Sequence, residues 1–152
     1  HWQGDFLRLP KSATRAKFAD HRVYMYKGQE IDRQVHMGID LASVAHSPIP
    51  AANTGIVIFA ESLGIYGKTV IMDHGFGLFS MYSHLSHIGV EVGDQLAKGD
   101  ILGRTGITGL AGGDHLHFSM LVNGVFVTPI EWWDQNWIDV TIEDPLTESR
   151  FQ

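Results

Sequence analysis

The chain contains no cysteine. Disulfides and cysteine-ligated zinc sites are therefore excluded. It also lacks any run of Lys and Arg. With 11 Lys+Arg against 17 Asp+Glu, its formal charge is −6, which argues against nucleic acid as a partner. No apolar stretch reaches the ~18 residues of a membrane-spanning helix, so no membrane contact is expected of this fragment. No basic segment precedes an apolar core as an export signal would require. The chain starts at His1 and is expected to be a mature or excised fragment, which leaves an upstream signal or anchor open. Linkers and low-complexity blocks are missing too, and 152 residues suit one domain of ordinary size.

Glycine and histidine are abundant. Seventeen Gly sit mainly between short β-branched runs, a pattern of many tight turns and a β-rich fold. Strands are expected over Arg22–Tyr26, Thr54–Ala60, Lys68–Asp73 and Leu78–Ser83, the last placing Ser80, Tyr82 and His84 on one parity. Phe6–Leu9 has the pattern of a short edge strand, whereas Gln29–Gln34 and Ser47–Pro50 read as loops. Val92-Gly93-Asp94 is echoed by Lys98-Gly99-Asp100, too briefly for a repeat architecture. Asn123-Gly124 predicts a hairpin into Val125–Val127. Pro129 stands where one short helix, Ile130–Trp137, could begin.

The most informative stretch is Asp114-His115-Leu116-His117-Phe118-Ser119-Met120-Leu121-Val122. Leu116, Phe118, Met120 and Val122 share one parity; His115, His117 and Ser119 share the other. That is the period of a half-buried strand with one oily face and one face of imidazoles. Two His at i and i+2 stand roughly 7 Å apart along a strand. One can bind a metal while the other works on what the metal holds.

His36, Gly38 and Asp40 also share a parity. In a straight strand, i and i+4 lie ~13 Å apart, too far to meet on one ion at ~2 Å. Either the chain bends at Gly38, where a missing Cβ allows a kink, or His36 and Asp40 are not co-ligands of one ion. Zinc accepts His nitrogen and carboxylate oxygen and keeps one position open when it catalyses. His36, Asp40 and one of His115 and His117 would supply three ligands, a set suited to lowering the pKa of bound water. No His-Glu-x-x-His helix supplies the usual Glu base. A second histidine must handle protons. His84 and the non-ligating member of the pair are the candidates.

His36-x-x-x-Asp40, Tyr82-Ser83-His84-Leu85-Ser86 and His115-Leu116-His117-Phe118 occur in that order between Gly-rich hairpins. Together they resemble the lysostaphin/LytM-type zinc endopeptidases, which cut peptide cross-links of bacterial peptidoglycan. The resemblance runs from about Val35 to about Pro129. It includes Gly64-Ile65-Tyr66-Gly67 and Thr108-Gly109. It implies that His36, Asp40 and His117 hold a Zn2+ ion, that His84 and His115 are the catalytic pair, and that Tyr66 lines the substrate groove. It implies a mainly β fold, an antiparallel sheet or sandwich with hairpins along a narrow groove. The expected organisation is an N-terminal extension over 1–34 packed on the domain, a peptidase core over 35–137 and a tail over 138–152. The implied partners are peptidoglycan stem peptides, with D,D- and glycyl-glycine bonds both open. The implied location is periplasmic or extracellular, and a monomer is expected.

Two positions depart from the family pattern. Asp114 replaces a common Pro, and Ser119 replaces a residue that is often acidic. The competing reading is a non-catalytic LytM-like wall-binding protein or amidase activator, ranked lower because all five site positions are present. A biotinyl-type carrier lacks its lysine turn here. Among the other histidines, His74 reads as structural or groove-lining, and His21, His46 and His87 read as surface residues. Trp132, Trp133 and Trp137 read as packing residues.

Overall fold

The computed structural model describes residues 2, 4–10, 12–16, 21–26, 29–35, 38–42, 44–127 and 129–133. His1, His36, Trp137 and the expected tail lie outside the described residues. In chain order the strands are β1 (Ala13–Ala16), β2 (His21–Tyr26), β3 (Gln29–Val35), β4 (Ile39–Ala42), β5 (Pro48–Pro50) and β6 (Gly55–Ser62). They continue with β7 (Lys68–Gly75), β8 (Leu78–Ile88), β9 (Gln95–Leu96), β10 (Ile101–Thr105), β11 (Leu116–Val122) and β12 (Val125–Val127). Among the described residues, ten of these form one sheet. Its main path is β1-β4-β11-β8-β7-β6-β9, with β12 beside β11 and β10 between β8 and β5. β2 and β3 form a separate ribbon. Neighbouring strands are antiparallel throughout these pairs.

The core lies on one face of the sheet. Ile39 and Leu41 of β4, Val70 and Met72 of β7, Tyr82 and Leu85 of β8, and Leu116, Phe118 and Met120 of β11 form a single apolar cluster. Phe6 and Trp132 close it at one end, their rings edge-to-face at 5.9 Å. The alternation in β11 sends its oily parity into this cluster. The imidazole parity is also buried: His115, His117 and Ser119 are at most 4 % exposed. Half-burial was the expectation. The second face is covered because Tyr66 packs on His117 and the backbone at Gly38 passes close over Ser119.

The predicted hairpin after β11 forms, with Asn123 (φ 51°) and Gly124 (φ 80°) both left-handed as a two-residue turn of this kind requires. The Gly-Asp echo is a repeated turn. Asp94 accepts from Glu91 N–H at 2.9 Å and Asp100 from Ala97 N–H at 2.8 Å. Each carboxylate thus closes the loop that contains it.

Four local expectations are corrected. Gln29–Gln34 is not a loop but most of β3. Its backbone ladder to β2 runs from His21↔Val35 to Tyr26↔Gln29, and such a ribbon needs no apolar face. Pro48–Pro50 is a strand, paired on its edge to β10, where missing N–H groups cost least. Phe6–Leu9 forms no strand, because Phe6 N–H goes to Trp132 O and Leu7 N–H to Ala52 O, two different segments. After Pro129 the chain makes a 3-10 turn over Ile130–Trp133. The rest of the expected helix lies outside the described residues.

Candidate active site

β4 and β11 lie side by side with Asp40 directly opposite His117. Both project from the face away from the core, because their neighbours Ile39, Leu41, Leu116 and Phe118 project into it. Cross-strand partners on one face sit about 5 Å apart at Cβ, so the register alone brings carboxylate and imidazole together. Asp40 Oδ1 is 3.0 Å from His117 Nδ1. The two residues are 2 % and 3 % exposed.

β8 crosses on the other side of β11 and carries an extra residue there. Val70 pairs with Tyr82 but Lys68 pairs with Leu85, so two steps on β7 match three on β8. This bulge falls on Ser83 and His84, and His84 adopts φ 63°, uncommon outside glycine. Tyr82 and Leu85 both stay in the core. The expectation that Ser80, Tyr82 and His84 share one face is therefore corrected: the inserted residue turns His84 to the side of His117. The ring centroids of His84 lie 4.9 Å from His115 and 6.0 Å from His117.

Backbone carbonyls orient two of these rings. His84 Nδ1 is 2.7 Å from Thr108 O, and His115 Nδ1 is 2.7 Å from Gly113 O. A carbonyl only accepts, so each Nδ1 carries a hydrogen, and Nε2 is the nitrogen left to gain or lose a proton. His115 Nε2 is 3.4 Å from Asp40 Oδ1. Burial depresses His84 from 6.5 to about 4, and the fields of His115 and His117 add to that, against its bond to Thr108 and the charge of Asp40. His84 is thus neutral at neutral pH.

Tyr66 ends the 3-10 turn Gly64–Tyr66, its ring 5.5 Å from that of His117. Ser119 Oγ is 3.0 Å from His117 Nε2. Among the described residues, no group of three carboxylates and imidazoles forms a metal-holding cluster. Asp40 and His117 could supply one oxygen and one nitrogen, and His36 lies outside the described residues. Asp40, Tyr66, His84, His115 and His117 are thus gathered at one place.

His74 is elsewhere. It is 1 % exposed, packed edge-on against Phe6, with Nδ1 2.8 Å from Thr54 O and Nε2 2.7 Å from Ser80 Oγ. It is structural, and burial holds it near pKa 4. His46 and His87 are exposed. Trp132 is core, and Trp133 stacks on Phe118 at 5.8 Å. Sequence reasoning missed the carbonyls of Thr108 and Gly113, which carry no side-chain signal. It also missed the work of Asp114. That carboxylate accepts from Thr105 Oγ1 at 2.7 Å and from His46 N–H at 3.2 Å, anchoring the segment that delivers His115.

Residues 34–129 match Peptidase family M23. The chain belongs to this family. It is 32 % identical to the peptidoglycan DD-endopeptidase ShyC of Vibrio cholerae over 126 residues, 82 % of this chain and 28 % of that protein. It is 34 % identical to the DD-carboxypeptidase/endopeptidase Mpg of Neisseria meningitidis over 97 residues, 64 % of this chain and 22 % of that protein. The chain therefore spans less than a third of the length of these relatives. Its fold matches the catalytic domain of the antimicrobial peptidase lysostaphin from Staphylococcus simulans. The TM-score is 0.71 at 24 % identity, over 82 % of this chain and 94 % of that one. No helix among the described residues is long and apolar enough to cross a membrane.

Proposed function

We propose that this chain is a zinc endopeptidase that hydrolyses peptide cross-links of bacterial peptidoglycan in the cell envelope. The observation that carries the reading is the meeting of Asp40 and His117 beside two imidazoles whose Nδ1 atoms are held by backbone carbonyls. Membership in a peptidase family and the names of the curated relatives support the substrate class.

The donor set fits zinc: a buried carboxylate oxygen and a buried imidazole nitrogen, 3.0 Å apart and fixed by strand register. His36, Asp40 and His117 would hold the ion. When bound, zinc supplies Lewis acidity toward the scissile carbonyl and lowers the pKa of water. His84 and His115 are the catalytic pair. Each ring accepts a proton at Nε2 while neutral and donates from the same atom once protonated. The pair can therefore take a proton from the attacking water as the C–O bond forms. It can return that proton to the leaving amine as the C–N bond breaks. Tyr66 lines the groove beside His117. Ring contacts of Trp2 and Phe6 with Trp132 support a 1–34 extension packed on a 35–137 core.

The test is zinc analysis of the purified chain together with digestion of defined muropeptides, the fragments being weighed. One zinc per chain and cleavage between stem peptides are expected. Zinc binding without cleavage of any muropeptide would leave a wall-binding module in place of the enzyme.

A further inference from the structure

Ser119 is fully buried, and its hydroxyl lies 3.0 Å from Nε2 of His117. The opposite nitrogen of the same ring, Nδ1, lies 3.0 Å from Asp40 Oδ1. His117 is thus clamped through both nitrogens. Gly38 completes the arrangement. A Cβ there would stand 2.5 Å from Ser119 Oγ, 2.9 Å from His117 Nε2 and 2.4 Å from the carbonyl of Phe118. The space of that missing methyl is filled by the Ser119–His117 hydrogen bond.

The two partners of the ring differ in what they can do. An ionised carboxylate only accepts, so in the metal-free ring it places the hydrogen on Nδ1. Nε2 then has only a lone pair, and Ser119 must donate to it. If Nδ1 turns its lone pair to a cation, the hydrogen must sit on Nε2 instead, and Ser119 must accept. A hydroxyl can do both by rotating about its C–O bond. A carboxylate at position 119 could do only the second.

We infer that Ser119 is the positioning residue of His117, a hydroxyl that follows the ring's tautomer between metal-free and metal-loaded protein, in a slot kept open by Gly38. This rests on the zinc-site reading above and deepens it. Outer partners of ligating histidines typically contribute 10- to 100-fold in metal affinity.

The test is zinc affinity by chelator competition on the whole chain for wild type, Ser119→Ala and Ser119→Thr, without any assay of turnover. Ser119→Ala is expected to bind zinc about tenfold or more weakly, and Ser119→Thr to recover most of the loss. Long-range imidazole nitrogen NMR supplies a second readout. The Nε2–H of His117 is expected to be protected in zinc-loaded wild type and to exchange rapidly in zinc-loaded Ser119→Ala. Thermal melting of the metal-free proteins guards against misfolding. If Ser119→Thr melts early, the NMR comparison of wild type with Ser119→Ala decides. Equal zinc affinity and equal protection in wild type and Ser119→Ala would overturn the inference and leave the zinc site standing. Failure of wild type to bind zinc at all would overturn both.

Discussion

The carbonyl oxygen of Thr108 stands 2.7 Å from Nδ1 of His84, and two touching glycines hold it there. Gly67 and Gly109 both have left-handed backbones, with φ 66° and 71°. A Cβ on Gly109 would fall 2.4 Å from Gly67 N and 2.4 Å from Ile65 O. The Thr108 side chain pins the same loop, donating to Leu85 O at 2.6 Å and accepting from Lys68 N–H at 3.0 Å.

Gly109→Ala must therefore displace the Thr108 carbonyl and release the ring it orients. A misplacement of ~1 Å in a catalytic group can cost about 10²-fold in rate. Muropeptide turnover is expected to fall by that order while zinc content stays at wild-type level. Unchanged turnover would show that His84 needs no anchor at Nδ1.

The two histidines of the Leu116 motif should separate cleanly. His115→Ala keeps the Asp40–His117 pair and is expected to retain zinc while losing about 10²- to 10⁴-fold in turnover, the usual range for a general acid–base group. His117→Ala removes a proposed ligand and should lose both zinc and turnover. Metal analysis beside the muropeptide assay checks both variants, and normal cleavage by His115→Ala would remove it from the catalytic pair.

His74 predicts a dependence of stability on pH. Its folded pKa is about 4 against 6.5 unfolded, because burial disfavours the charged ring. Between these values the unfolded chain binds more protons, so stability rises with pH across that window. The contribution is complete above about pH 6.5, lost progressively down to pH 4, and of the order of 3 kcal/mol. Urea unfolding of His74→Gln at a series of pH values should show a shallower acid slope than wild type. His84 shifts in the same direction, so part of the slope should survive.

Asp114 should matter for stability more than its exposed loop suggests. Removing its carboxylate leaves the Thr105 hydroxyl, on a residue 1 % exposed, without its acceptor. Asp114→Ala is expected to cost about 1–3 kcal/mol, with Asp114→Asn recovering part of it. Urea midpoints with unchanged slopes are the measurement.

Much of this fold was legible. The alternation from Leu116 to Val122 located β11 and its two faces, and Asn123-Gly124 located the hairpin after it. Parity also put Asp40 on a different face from Ile39 and Leu41. What was illegible depends on pairing partners. Gln29–Gln34 has the polarity of a loop, and only the ladder to β2 makes it a strand. The site was half legible. Side-chain types flagged Asp40, His84, His115 and His117, and the family resemblance added Tyr66. The reason His84 can meet the others is a register shift against β7, and periodicity along one strand cannot express a shift against another. The backbone acceptors that set the ring tautomers were invisible because any residue could provide them.

The extra residue in β8 separates two jobs that a regular strand would force together. Without it, the side chain after Ser83 would point to the oily layer that holds Tyr82, and chemistry and packing would compete for the same positions. With it, designers can repack the layer beneath from Tyr82 and Leu85 while leaving the imidazole-bearing side untouched. Removing one codon at that point would restore plain alternation between Tyr82 and Leu85, leaving one outward side chain where there are now two.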